Sequence, residues 1–311
     1  MTTRRFAQVD VFSAEPLRGN PVAVVLDADG LDDAAMARFA RWTNLSETTF
    51  VLPPTAAGAA AGADYRLRIF TPGGELPFAG HPTLGSAHAW REVGGVPRAT
   101  TGPVQECAAG IVPLRTTGRR ADEGADAGGD VGGHAGGDIG GEFRGDAGTL
   151  AFAAPPLLRE GPLDDALLDR IVAGLGVGRD AVVDHAWADN GPGWAAVRLR
   201  TAAEVLALRP DMAALVGFEV GVVGVHAAGG PAHLEVRAFC PELGVPEDPV
   251  TGSLNAALAP WLVATGVVPP RYVAAQGTVL DRAGRVHVEV GADGTWVGGA
   301  CRTVIRGTVD L

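Results

Sequence analysis

The 311-residue chain contains no lysine, so all 25 basic side chains are arginine. That absence excludes a Schiff base with a keto acid, a lysine-linked pyridoxal phosphate and a Walker-type phosphate loop, each of which needs an amine. Cysteine is scarce: Cys107, Cys240 and Cys301, with no CxxC, suggest neither a disulfide framework nor a thiolate zinc site. Positive charge is outnumbered, and a net charge of -11 leaves no basic stripe for a phosphate backbone, so no nucleic-acid partner is expected. Long apolar runs are missing too. No segment approaches a membrane span, and "MTTRRFAQVDVFSAEP" has two arginines without the apolar stretch of a signal peptide. A soluble, cytoplasmic protein with no membrane partner is expected.

The residues that are plentiful are core-forming: 47% are hydrophobic and only 20% charged, enough for one large core or two moderate ones. One composition break divides the chain. Residues 117–148, "TGRRADEGADAGGDVGGHAGGDIGGEFRGDAG", are almost wholly Gly, Asp, Ala and Arg and cannot bury a core, which reads as a disordered loop or linker. Two "AGGD" copies suggest calcium-binding glycine–aspartate repeats, but their spacing of eight and the lack of a full G-G-x-G-x-D unit weigh against it. The expected organisation is an N-terminal half (1–116), the insert (117–148), a C-terminal half (149–298) and a terminal strand (299–311) returning to the first half.

The two halves repeat an order of elements. "YRLRIFTP" (65–72) matches "LEVRAFCP" (234–241) with Arg, Phe and Pro in register, and both read as strands stopped by proline. Each is succeeded by an acidic loop and a small-residue helix reaching tryptophan: Gly80 to Trp90, and Thr251 to Trp261. Upstream of each lie a helical run (Asp32 to Trp42; Pro210 to Gly217), a glutamate (Glu47; Glu219) and a strand ("TTFVL"; "VGVVGV"). Duplicated α+β units would make the two Trp-ended helices equivalent, each wrapped by its half's strands. Their N-termini could then point into one cleft and offer free N–H groups to a carboxylate.

Three side chains stand out for chemistry. His81, between Gly80 and Pro82, is placed at the N-cap of the first such helix or beside it, because Pro82 suits the first helical position; His is a poor cap. Glu47 has capping-box spacing from Asn44, yet it leads into a strand rather than a helix, leaving a solvated turn residue and a catalytic base as alternatives. Asp248 lies between Pro246 and Pro249, five residues before Ser253 at the head of the second helix. It reads either as a loop acid or as the carboxylate that holds the His81 tautomer or shares its proton. Glu47, His81 and Asp248 have no HxH or HExxH spacing, so general acid–base chemistry without metal fits better than ligation.

Four ordered blocks, "DVFSAEPLRGNPVAVV", "NLSETTFV", "FTPGGELPFAGHPTLGSAHA" and "EDPVTGSLNAAL", resemble the signatures of the phenazine biosynthesis protein PhzF family, and "AAQGTVLDRAGRVHVEV" is similar to its closing segment. The resemblance implies the fold of diaminopimelate epimerase: α+β, two similar halves, each a β-barrel-like sheet around a central helix, with the active site between them. In those relatives a cysteine begins each helix corner; here Gly80 and Thr251 hold those places, which disfavours a two-thiol racemase. The resemblance further implies a cofactor-independent, metal-independent isomerase in which Glu47 is the acid–base glutamate, His81 and Asp248 complete the catalytic set, and Gly80, Thr251, Gly252 and Ser253 bind substrate. The substrate implied is a small carboxylate, trans-2,3-dihydro-3-hydroxyanthranilate or a related cyclic acid, and the assembly a homodimer. The alternatives are a non-thiol epimerase or racemase of an amino-acid-like substrate, and a non-catalytic small-acid-binding protein of the same fold.

Overall fold

A computed structural model of the chain describes residues 1–117, 149–241 and 245–311. The Gly/Asp insert, expected to be a disordered loop, falls outside them from residue 118 to 148. The first half runs β1 (Thr3–Val11), β2 (Asn20–Val25), α1 (Asp33–Thr43), β3 (Glu47–Leu52), α2 (Ala56–Ala60), β4 (Tyr65–Phe70), β5 (Glu75–Leu76), α3 (Gly80–Glu92), β6 (Val104–Cys107) and β7 (Gly110–Thr117). The second runs β8 (Thr149–Ala153), α4 (Asp165–Leu175), β9 (Val182–Trp187), β10 (Ala195–Thr201), α5 (Ala202–Ala207), β11 (Val220–Val225), β12 (Leu234–Cys240), β13 (Val245–Asp248), α6 (Gly252–Ala264), β14 (Arg271–Gln276), β15 (Gly284–Gly291) and β16 (Gly294–Gly299). The last strand, β17 (Cys301–Asp310), pairs antiparallel along the whole of β1.

Strand pairing exposes the duplication. In the first half β1–β2 is antiparallel, β2–β3 parallel, β3–β4 antiparallel, β4–β6 parallel and β6–β7 antiparallel, with β5 folded back on β4. The second half repeats that series of senses as β9–β10, β10–β11, β11–β12, β12–β14 and β14–β15, with β13 folded back on β12. Thr48 faces Phe70 as Val220 faces Phe239, which makes Glu219 the topological counterpart of Glu47. The halves share a sheet, because the start of β7 pairs with β6 and its end with β8.

The central helices are α3 and α6, and their composition explains where they sit. A helix apolar or small on every side belongs in a core. Leu84, Gly85, Ser86, Ala87 and Ala89 of α3 are all buried, as are Leu254, Ala256, Ala257, Leu258, Ala259 and Leu262 of α6. The one buried hydroxyl in that α3 series is satisfied, with Ser86 Oγ 2.8 Å from Thr49 Oγ1. By contrast α1 is a peripheral helix with conventional ends: Asp32 caps Ala35 N–H at 2.7 Å, and Asn44 closes it in the left-handed region (φ 54°).

The structure corrects three local expectations. His81 is the second residue of α3, not its cap; Ala79 is the cap and Pro82 the third helical residue, where its missing N–H again costs nothing because the first four N–H groups lack intrahelical partners. The helices are equivalent one residue later than the sequence match suggested, with Gly80 opposite Gly252 and the caps Ala79 and Thr251 corresponding. The helical run placed at Pro210 to Gly217 is a turn region, and the helix lies earlier, at α5, where Thr201 and Glu204 form a capping box. Between β3 and β4 lies the short helix α2, anchored by Glu106 accepting from Thr55 N and Oγ1 at 2.7 and 2.6 Å.

Gly85 marks where α3 meets β2: a Cβ there would lie 2.4 Å from Val22 Cγ1 and 3.0 Å from Val11 Cγ2. In an open helix Gly→Ala stabilises by about 1 kcal/mol, but overpacking a filled core costs about 1–3 kcal/mol. Gly85→Ala should therefore lower the urea midpoint, and a raised midpoint would contradict this packing.

Candidate active site

The site forms where the N-termini of α3 and α6 meet. A Cβ on Gly80 would come within 3.2 Å of Gly252 Cα and 2.7 Å of Phe152 Cζ, so only glycine permits this approach. Among the described residues neither cap side chain bonds its own helix, and although Gln276 takes the Thr251 N–H, first-turn N–H groups of both helices are left without intrahelical partners at one seam. Strand β3 delivers Glu47 at its first residue, α3 delivers His81 at its second, and β13 delivers Asp248 at its last.

These three side chains, far apart in sequence, are brought together. His81 Nε2 lies 3.3 Å from Glu47 Oε2, while the ring's other nitrogen lies 3.3 Å from the Nδ2 of Asn20, which opens β2. The same Asn20 nitrogen donates to Asp248 Oδ1 and to the Val250 carbonyl, both at 2.9 Å, and so links the two halves. Asp248 Oδ2 accepts from Thr251 Oγ1 at 2.6 Å. Gln276, ending β14, locks this corner by accepting from Thr251 N at 3.0 Å and donating to the Asp248 carbonyl at 3.1 Å. Asp248 is thus a fully engaged carboxylate that orients its neighbours.

Glu47 and His81 differ from it. Their facing atoms, Oε2 and Nε2, are buried yet have no hydrogen-bond partner among the described residues, because the 3.3 Å contact lacks the required direction. Buried polar atoms are nearly always satisfied, so an orphaned pair at a seam marks a place prepared for something else. Glu47 keeps 15% of its side-chain surface accessible and His81 5%, so the acid is the more reachable of the two.

Burial decides the protonation states. It pushes Glu47 up to about 7, against the opposing hydrogen bond of Ser46. It pulls His81 down to about 4, although Asp248, the Pro21 carbonyl and Asp10 favour the charged ring. Asp248 is also raised by burial, with His81 opposing and Glu47 adding to the shift. Between roughly pH 4 and 7 the Glu47–His81 contact is a neutral acid beside a neutral base. A carboxyl near 7 holds and releases a proton with almost equal ease at neutral pH, as a proton shuttle requires.

Thr251 and Ser253 lie at the head of α6, as cap and second residue. Trp194 Nε1 donates to Ser253 Oγ at 3.1 Å, and Asn190 Nδ2 to the Ser253 carbonyl at 3.0 Å. Sequence reasoning missed Asn20, Gln276, Asn190 and Trp194. Asn20 and Gln276 stood inside blocks already singled out, each at a strand end where a buried amide has a structural task; nothing local distinguished the other two. Among the described residues no group of three His, Cys, Asp or Glu side chains could hold a metal ion, and no helix is long and apolar enough to cross a membrane.

Two duplicated halves, each around a buried helix, give the fold class shared with solved structures named as a hydroxyproline epimerase and a probable proline racemase. Within that class the chain belongs to the phenazine biosynthesis-like protein family, PhzC-PhzF, whose model matches residues 9–129 and 149–308. It is 35% identical over 321 residues to Antisense-enhancing sequence 1 of Schizosaccharomyces pombe, covering 99% of each chain. It is 34% identical over 285 residues to trans-2,3-dihydro-3-hydroxyanthranilate isomerase of Pseudomonas aeruginosa, covering 91% of this chain and 89% of that one. A PhzF family protein of Bacillus anthracis has the same fold, with a TM-score of 0.76 at 22% identity over the whole of both chains.

The raised Glu47 has a stability signature of unusual sign. The unfolded chain gives up this proton near 4.5 and the folded protein near 7, so Glu47's contribution to stability falls as pH rises through that window. Glu47→Gln should remove the slope, gaining about 3 kcal/mol relative to wild type between pH 4 and pH 8. Urea unfolding of both proteins at the two pH values measures it, and parallel pH dependences would refute the assignment.

Proposed function

We propose that the protein is a cofactor-independent isomerase that moves a proton between two carbons of a small carboxylate, with trans-2,3-dihydro-3-hydroxyanthranilate or a related cyclic acid as substrate. The observation that carries this reading is the buried carboxyl of Glu47, raised to about 7, beside a neutral imidazole. The relative named as an isomerase of that acid, similar over nine-tenths of the chain, supports the reaction class.

In this mechanism the Glu47 carboxylate takes the proton from an acidic C–H, the electron pair spreads into the conjugated substrate, and the same carboxyl returns the proton to a different carbon. Nothing is oxidised or reduced and no group leaves. His81 stays neutral at working pH and orients the substrate by hydrogen bonding; a ring near 4 is too rarely protonated to serve as the acid. The free N–H groups at the heads of α3 and α6, with the Ser253 hydroxyl, receive the substrate carboxylate. Asn20 backs the imidazole and, bonded to Asp248, fixes one half against the other.

An epimerase using opposed bases fits less well, since Glu47 and His81 are adjacent and Asp248 is engaged by Thr251 and Asn20. The small-acid-binding role stays the second reading because a relative of equal similarity bears a name that specifies no reaction. Binding of such acids without any proton exchange would favour it.

Incubation with the dihydrohydroxyanthranilate in deuterated water tests the proposal. Wild type should isomerise the substrate, and Glu47→Gln should lose on the order of 10²- to 10⁴-fold in rate; undiminished turnover would remove Glu47 from the mechanism. Because the free carboxylate must be ionised to accept the first proton, kcat/KM should rise with pH through an inflection near 7. An inflection near the ordinary 4.5 would contradict burial of the acid.

A further inference from the structure

Ser253 is held from behind by a fixed donor. Trp194, only 3% exposed, donates its indole N–H to Ser253 Oγ at 3.1 Å. An indole nitrogen has a hydrogen and nothing to accept with, so the serine oxygen must accept and its own hydrogen must point elsewhere. The segment that carries Trp194 cannot easily swing away. Asp189 Oδ1 accepts from the N–H groups of Gly191 and Gly193, both at 2.9 Å, the Asp189 carbonyl accepts from Leu158 N at 2.7 Å, and Asn190 clamps the Ser253 carbonyl.

The duplication gives this contact a counterpart. In the first half the second residue of the central helix is His81, and the nitrogen behind its ring belongs to Asn20 at the entrance to β2. In the second half the second residue is Ser253, and the nitrogen behind it belongs to Trp194 at the entrance to β10. Each central helix therefore has a side-chain nitrogen behind its second residue, but the two hydrogens of Asn20 Nδ2 go to Asp248 and Val250, so only Trp194 is committed to donating to the side chain it backs. The first presents an imidazole to the Glu47 carboxyl; the second presents a hydroxyl whose hydrogen is directed away from the indole.

We propose that Trp194 is a positioning residue that commits the Ser253 hydroxyl to donating, so that the α6 end of the site selects an anionic carboxylate over the matching neutral amide. This rests on the isomerase reading only in taking the ligand to be a small carboxylic acid. Trp194 touches no reacting atom in this scheme. It acts through Ser253, and its effect falls on binding and selectivity rather than on the proton transfer that Glu47 performs.

The test uses the full-length protein and two probes, anthranilate and 2-aminobenzamide, which differ in the carboxylate alone. Titration calorimetry on wild type should show preference for the acid. Trp194→Phe keeps the apolar bulk and deletes the donor; it should weaken anthranilate by about tenfold, as should Ser253→Ala, with a smaller loss for the amide, whose carbonyl accepts only a neutral hydrogen bond. The double variant should be no weaker than either single one, because the two residues act through one hydrogen bond to the ligand. In wild type, the Trp194 indole N–H resonance, assigned by its loss in Trp194→Phe, should shift on titration with anthranilate and by less with the amide. That readout needs no stable variant for the titration itself and would be unmoved by a merely structural tryptophan. Wild-type affinity and selectivity in Trp194→Phe, additive losses in the double variant, or an indole resonance indifferent to the acid would each overturn the proposal while leaving the Glu47 exchange result standing. Intact acid selectivity with no Glu47-dependent exchange would instead sink the isomerase reading and spare this one.

Discussion

Everything at the seam depends on two helices meeting end to end through residues without side chains. Gly80 and Gly252 approach so closely, beneath Phe152, that a single methyl on Gly80 would collide with the ring. At the same seam Glu47, opening β3, lies beside His81, and Asp248, closing β13, is joined to the first half through Asn20. The approach also concentrates unpaired N–H groups at one point, which an anion can satisfy and an apolar ligand cannot. Backbone geometry thereby fixes where the Glu47–His81 pair sits and favours negative charge beside it.

Enclosure then reverses the ordinary order of the two titrating groups. In water a histidine ionises near 6.5 and a glutamate near 4.5; at the seam the imidazole falls to about 4 and the carboxyl rises to about 7. The inversion stems from burial, which opposes charge on either group; the Asp248 charge beside His81 and the hydrogen bonds of both groups oppose it without overcoming it. The result is a pair that is uncharged until the acid releases its proton. Asp248 keeps its place in this environment because Asn20 and Thr251 hydrogen-bond its two oxygens, which separates its work from that of Glu47.

Much of this was legible in the sequence where a local rule coincides with a structural need. The Arg, Phe and Pro shared by β4 and β12 located the duplication, because equivalent strands pack against equivalent helices, and the small residues after Gly80 located a helix that could be buried on all sides. The exact helix equivalence was not legible: two tryptophans at equal spacing suggested a match one residue away from the one the Gly80–Gly252 contact defines. Asn20 and Trp194 were invisible for a different reason. Each acts by presenting a hydrogen to a partner on a distant segment, and no periodicity records such a partner. An acid–base role at neutral pH asks for a perturbed Glu47, but only the packing around it supplies the cause, which is desolvation.

The central claim is that an enclosed Glu47 carboxyl is poised near neutrality before any ligand arrives. Carbon-13 NMR titration of the side-chain carboxyl carbons in the free protein, with the Glu47 signal assigned by its absence in Glu47→Gln, measures this directly. The expected midpoint for Glu47 is near 7. A midpoint at the ordinary glutamate value of 4.5 would contradict it.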